Sequence, residues 1–207
     1  MAAEVRFTET MCGWLSALPH ASHEEAATAG RARGEGARFT LHVVTPSVAQ
    51  MVADPDHRNP AFGVVECAAL HEAPLAVLRG HLDLFADAAP GVLHMRYRLD
   101  LVAPDGARFV LRGIKEIVRR RWFPTATFDT TTLFVDVFDG DELAGEPRLR
   151  GIFWMGPGGV LAQGLSFRGQ LGAIVRYLRY YVARCAGVYL GARRAPLRPG
   201  WGGYAEG

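Results

Sequence analysis

The chain has 207 residues, of which 49% are hydrophobic and 21% charged, and a formal net charge of +2 at pH 7. This length predicts one domain with a sizeable core, and so small a positive excess gives no argument for nucleic-acid binding. Cys12, Cys67 and Cys185 lie far apart and form no metal-binding spacing, which predicts reduced thiols in a reducing compartment. We find no signal-peptide pattern and no long apolar run, so we expect a cytoplasmic protein.

The N-terminal part predicts two strands separated by a long loop. Val5–Ser16 and Arg38–Thr45 alternate apolar and polar residues, as half-buried strands do. Pro19–Gly36 has no sustained period and predicts a loop with a short helix around residues 24–28. A helical turn capped by Ser47 and a turn-rich loop over residues 54–60 follow.

From residue 62 the pattern is almost entirely that of β-strands. Turn residues such as Pro104-Asp-Gly106 interrupt it, and connections this short predict antiparallel neighbours. The total of about nine strands must close or form layers to protect their edges. The strands predicted in this part are 62–70, 75–85, 92–102, 108–118, 130–138, 148–155 and 158–167.

The last regular element predicted is an amphipathic helix over residues 170–190, ended by Gly191. Apolar residues recur along it at helical spacing, and its arginines fall mostly elsewhere, which gives it a basic face. The apolar residues are Leu171, Ile174, Val175, Leu178, Val182, Cys185 and Tyr189. We therefore predict a single antiparallel β-barrel over residues 1–191, lipocalin-like or allene-oxide-cyclase-like, with this C-terminal helix outside it or across one end. Residues 192–207, rich in Arg, Pro and Gly, predict a loose tail.

A Leu-Arg-Gly triplet occurs in the middle of three predicted strands, at residues 78–80, 111–113 and 149–151. Glycine inside a strand marks a bend or a close approach, so the triplets predict a strongly curved sheet. If each arginine points outward, each leucine and glycine points inward. Curvature alone accounts for the glycines; a further hypothesis is that the missing side chains leave room for a ligand.

Two charges, Glu9 and Lys115, fall on predicted interior faces that are otherwise apolar. Because an unpaired buried charge is very costly, we predict that they pair across the barrel, with hydrogen bonds from Tyr97 and Thr131. A structural pair, a polar anchor for an apolar ligand and an acid/base pair all fit this pattern. The predicted ligand-binding residues sharing this interior are Met11, Gly13, Leu82, Met95, Tyr97, Leu99, Gly113, Thr131 and Phe153. No histidine spacing typical of a metal site occurs, and no metal or cofactor is expected.

Four short motifs resemble a bacterial, lipocalin-like β-barrel module: Phe7-Thr-Glu-Thr-Met-Cys-Gly13, Met95-Arg-Tyr97, Gly113-Ile-Lys115 and Asp129-Thr-Thr-Thr-Leu133. The resemblance spans roughly residues 5–190. That module accompanies cholesterol-oxidase-like GMC oxidoreductase and lipid-hydrolase domains. The resemblance implies an accessory, lipid-associated barrel and marks Glu9, Gly13, Tyr97, Gly113, Lys115, Asp129 and Thr131. It implies no oxidoreductase chemistry here, because the chain has no flavin-binding motif.

The function expected from the sequence is the binding of a hydrophobic small molecule, such as a lipid, a sterol or a polyketide-like compound. One alternative is a cyclase or isomerase that uses Glu9 and Lys115 for proton transfer. The other is an interaction module whose basic helix docks on a partner or makes peripheral membrane contact. A separate oxidoreductase or hydrolase is a possible protein partner, and no nucleic acid is expected.

Overall fold

The computed structural model describes residues 4–17, 19–20, 22–89, 91–118 and 129–190. Its strands are β1 (Val5–Ala17), β2 (Gly36–Thr45), β3 (Arg58–Cys67), β4 (His71–Ala89), β5 (Val92–Val102), β6 (Arg108–Val118), β7 (Thr132–Asp139), β8 (Leu149–Trp154) and β9 (Arg168–Gly169). The helices discussed below are α1 (His23–Arg33), α2 (Val48–Ala53), α3 (Pro157–Ser166) and α4 (Leu171–Leu190). The predicted tail, residues 192–207, and Gly191 lie outside the described residues.

Strands β1 to β8 form a closed antiparallel barrel, which confirms the predicted fold class. Each strand pairs with the next, and β1 pairs with both β2 and β8, so the sheet closes on itself. The two residues of β9 extend the pairing of β1 at Val5 and Arg6. Closure removes the unpaired edges that a large antiparallel sheet would otherwise expose.

Alternation along each strand fills the barrel interior with apolar side chains. In β5, Met95, Tyr97, Leu99 and Leu101 are buried, and the residues between them are partly exposed. The predicted bounds of β5 and β6 agree with the structure at both ends. The core therefore sits inside the barrel and continues to the underside of α4, where Ala173 and Tyr177 are buried.

One sequence-based element prediction is wrong, and a second is correct only in part. Residues 157–166 form helix α3 and not a strand; Pro157 stands in its first turn, and none of its residues is buried. The apolar residues of this segment resemble those of a strand, yet the segment is helical and lies outside the sheet. The short helix predicted around residues 24–28 lies within α1, which is longer than predicted and runs for 11 residues. Ser22 accepts from the Glu25 amide at its start, and Gly34 ends the helix at φ 72°. The small helix α2 begins after Ser47, as predicted.

The first Leu-Arg-Gly triplet does not point inward as predicted. Val77 pairs with Leu101 and Arg79 with Asp100, so Leu78 is an extra residue in a β-bulge. The bulge reverses the alternation, and Leu78 is 56% exposed. In the other two triplets, Leu111 and Leu149 are buried as predicted.

The mid-strand glycines mark close approaches, and side chains or backbone occupy the space beside them. A Cβ atom on Gly13 would lie 1.9 Å from the Ile152 carbonyl oxygen. A Cβ atom on Gly113 would lie 3.0 Å from Leu133 Cδ1, so Leu133 fills the volume that the sequence analysis assigned to a ligand. These contacts support curvature and tight strand packing as the reason for the glycines.

We expect Gly13→Ala to lower the free energy of unfolding by about 3 kcal/mol, because its new methyl group meets backbone of β8 that must shift. Gly113→Ala should cost less, since it meets the flexible end of Leu133. Gly164→Ala in α3 is the matched control: nothing lies within 4 Å, and stability should hold or rise slightly. Urea denaturation measures the loss in free energy of unfolding for each of the three variants. Equal losses for Gly13→Ala and Gly164→Ala would contradict the close approach at Gly13.

Candidate functional site at the α4 end of the barrel

A buried ion pair joins opposite sides of the barrel near the end that α4 covers. Lys115 Nζ on β6 lies 2.5 Å from Glu9 Oε1 on β1, and the two side chains are 4% and 1% exposed. The predicted pairing of Glu9 with Lys115 is therefore confirmed. It arises because alternation turns both residues inward from strands that are distant in sequence but face each other across the interior.

Tyr97 completes the pair as a hydrogen-bond donor. Its hydroxyl lies 3.0 Å from Glu9 Oε2 and 3.2 Å from Oε1, and its ring centroid is 5.3 Å from Lys115 Nζ. Burial raises the pKa of Tyr97 well above its usual value, and the charge and hydrogen bond of Glu9 raise it further. Tyr97 is thus a neutral phenol at physiological pH, so it can donate to the carboxylate.

Two tyrosines of α4 form a roof above this end of the barrel. Tyr177 is buried and packs against Phe7 and Phe167, with ring centroids 5.9 and 5.8 Å away. Tyr181 lies 4.9 Å from Phe85 in an edge-to-face arrangement. Burial raises the pKa of both tyrosines, and the negative charge of Glu9 adds to the rise. The sequence analysis missed this roof, although the spacing of residues 177 and 181 places them on one helix face.

Polar contacts hold α4 over the barrel. Arg184 Nη2 donates to the Phe85 carbonyl at 2.7 Å and to Asp87 at 2.9 Å. Phe85 belongs to a second bulge of β4 and has φ 60°, an uncommon conformation for a residue with a side chain. Near the end of the helix, the Tyr189 hydroxyl donates to Asp129 Oδ2 at 2.9 Å.

The predicted interior residues occupy different parts of the barrel. Met95 lies opposite Lys115 in the β5–β6 pairing, and Met11, Leu82, Leu99 and Phe153 are fully buried. The sequence analysis missed Phe39, which is buried between Tyr97 and Phe153 at centroid distances of 6.2 and 5.7 Å. Phe39, Leu41 and Val43 occupy alternate positions of β2, and this spacing predicts that Phe39 shares their interior face.

The strand predicted over residues 130–138 begins only at Thr132, and residues 129–131 are helical. Thr131 is half-buried, and its carbonyl accepts from the Met155 amide at 2.9 Å. Asp129, marked by the family resemblance, is buried and accepts from Tyr189 on α4 and from the Val118 amide. Asp129 thus helps to position the helix over the pair.

A second buried charge cluster lies beneath α1. Asp136 on β7 accepts from Arg112 Nη2 at 2.7 Å and Arg150 Nε at 2.8 Å, and His23 Nε2 lies 3.3 Å away. Burial alone would raise the pKa of Asp136, but hydrogen bonds from His23, Arg112 and Arg150 outweigh it and hold the pKa well below its usual value. Since these residues tie α1 to β6, β7 and β8, the cluster is structural.

Comparison with known proteins found no matching family model, curated protein or solved structure. The described residues contain no group of three His, Cys, Asp or Glu side chains that could hold a metal ion. Of the helices in that part of the chain, none is long and apolar enough to cross a bilayer.

Proposed function

We propose that the barrel binds a hydrophobic small molecule whose polar end meets the Glu9–Lys115–Tyr97 cluster. The observation that carries this proposal is a charged cluster, Glu9 with Lys115 and Tyr97, at one end of an interior lined mostly by apolar side chains. Sites for small apolar ligands combine an apolar lining with a few precisely positioned polar groups. Eight-stranded barrels of the lipocalin type hold one such ligand.

Lys115 supplies the group that would recognise the ligand. An ammonium has three N–H donors, and among the described residues Glu9 is its hydrogen-bond partner. The remaining donors suit a carbonyl, carboxylate or hydroxyl oxygen. A lipid, sterol or polyketide-like molecule with one such oxygen fits this chemistry.

The ligand would enter beneath α4. Because Leu133 occupies the space at Gly113, we place the ligand's apolar body between the roof tyrosines and the pair, beside Met95, which lies opposite Lys115 in the β5–β6 pairing. Entry then requires α4 to lift from the barrel, which breaks the Arg184 and Tyr189 contacts.

The first experiment is native mass spectrometry of the purified protein, with organic extraction of any bound apolar molecule. Binding is then measured with the fluorescent fatty acid cis-parinaric acid. We expect the double variant Glu9→Gln with Lys115→Met to bind it at least about tenfold more weakly, since it loses a hydrogen bond from a charged donor. Arg148→Met removes an exposed cation that pairs with Asp139 and serves as the control. Unchanged affinity in the folded double variant would contradict the anchor.

The same pair is also compatible with acid/base chemistry in a cyclase or isomerase. Both oxygens of Glu9 are engaged, one by Lys115 and both by Tyr97, so Glu9 as a base would first have to give up one of these bonds. This geometry favours binding over proton transfer. Conversion of a bound ligand to a product of equal mass, lost in Glu9→Gln, would support the isomerase instead. An association with a separate oxidoreductase or hydrolase, and a cytoplasmic location, rest on the sequence alone.

A further inference from the structure

The face of α4 turned away from the barrel carries an exposed apolar stripe. We define the stripe as Leu171, Val175, Leu178 and Val182, which are 77%, 47%, 42% and 63% exposed. Their spacing of four, three and four residues places them along one side of the helix. The sequence analysis grouped them with the apolar face, yet the buried residues of α4 are Ala173, Tyr177, Val188 and Tyr189.

Helix α3, which precedes α4 by four residues, adds further exposed apolar surface. Leu161 and Leu165 are 65% and 68% exposed, and no residue of α3 is buried. The helix is nevertheless held in place, because Ser166 Oγ accepts from the Thr8 amide at 2.8 Å. A fixed helix with no buried residue has apolar side chains that the fold itself does not use.

The segment that carries this apolar surface is positively charged, because it contains arginines but no acidic residues. From Pro157 to Leu190 the sequence contains four arginines and no aspartate or glutamate. Arg184 pairs with Asp87, whereas Arg176 and Arg179 are exposed, and Arg179, four residues after Val175, borders the stripe. The part of the chain that is described offers these two arginines no ion-pair partner.

We infer that the stripe and its arginines dock the barrel on an anionic lipid surface. Exposed leucines and valines bordered by arginines are the pattern of helices that lie in the membrane interface. A second copy of the chain fits less well: pairing two stripes would bring together arginines that have no acidic partner on either helix. An anionic surface engages the stripe and the arginines at once, and this inference does not depend on ligand binding in the barrel.

The test is co-sedimentation of the full chain with phosphatidylcholine vesicles that contain or lack phosphatidylserine. We expect binding to the anionic vesicles that weakens at high salt. Arg176→Gln with Arg179→Gln should weaken it at least about tenfold, given roughly fivefold per arginine near an anionic surface. Leu171→Ser with Leu178→Ser should weaken it on the order of tenfold through lost apolar burial. All four positions are exposed, so folding should be unaffected.

Matched controls come from a separate exposed surface, the bulge of β4, where an exposed leucine also stands next to an exposed arginine. Leu78→Ser and Arg79→Gln make the same chemical changes at exposed positions away from α4 and should bind vesicles like the wild type. Failure of the wild type to sediment with anionic vesicles overturns the inference, as does equal binding by the helix variants and the controls. A wild-type dimer that becomes a monomer on Leu171→Ser with Leu178→Ser, measured by light scattering, would assign the stripe to a second copy and overturn it too.

Discussion

Replacing Lys115 by methionine should lower the free energy of unfolding by about 3–5 kcal/mol, one of the two largest effects expected for this protein. The substitution leaves the Glu9 carboxylate, which is 1% exposed, with the Tyr97 hydroxyl as its one hydrogen-bond donor among the described residues. Methionine matches lysine in shape, so the loss reports the missing charge rather than a cavity. Urea denaturation at pH 7 measures it.

The double variant Glu9→Gln with Lys115→Met should recover part of this loss. Glutamine is neutral and can still accept from Tyr97, so no uncompensated charge remains inside the barrel. Arg148→Met is the control, because Arg148 and Asp139 form an exposed pair at 2.9 Å whose loss should cost less than about 1 kcal/mol. Additive effects of the two interior substitutions would show that Glu9 and Lys115 do not act as a unit.

Glu9 and Lys115 show how far sequence reasoning reaches in a barrel. Strict alternation identifies a charge on an apolar face, and the cost of an unpaired buried charge then requires a partner. Only two such residues were available, so the pairing followed without knowledge of the strand order. Tyr97 followed in the same way, because it shares the interior face of β5 with Met95 and Leu99.

The same reasoning fails where alternation is broken or where an element does not pack as its pattern suggests. Leu78 points outward because a bulge inserts one residue into β4, and nothing in its immediate sequence distinguishes it from Leu111. In α4, Leu171, Val175, Leu178 and Val182 form the exposed stripe, while Tyr177 and Tyr181 cover the barrel. A hydrophobic face on a helix predicts that this face packs against another surface, but it does not identify that surface.

Asp136→Asn should be as destabilising as Lys115→Met, with an expected loss of about 3–5 kcal/mol. The Asp136 side chain is 7% exposed, and its carboxylate accepts from Arg112 and Arg150 at 2.7 and 2.8 Å. An asparagine removes the negative charge that both guanidinium groups and His23 contact. Asp139→Asn on the same strand is the matched control, because Asp139 is 63% exposed and its single pair with Arg148 should contribute little.

The dependence on pH gives the Asp136 prediction a second, independent measurement. The pKa of Asp136 is lowered in the folded state, so its contribution is fully present above the pKa of an unfolded aspartate, about 3.9. The contribution is lost progressively as the pH falls below that value toward the folded pKa. The difference in unfolding free energy between wild type and Asp136→Asn should therefore shrink below about pH 4, and more acid should reduce it further. A difference that stays the same from pH 7 to pH 3 would mean that the charge of Asp136 does not hold α1 against the barrel, and that the loss in Asp136→Asn comes from altered packing instead.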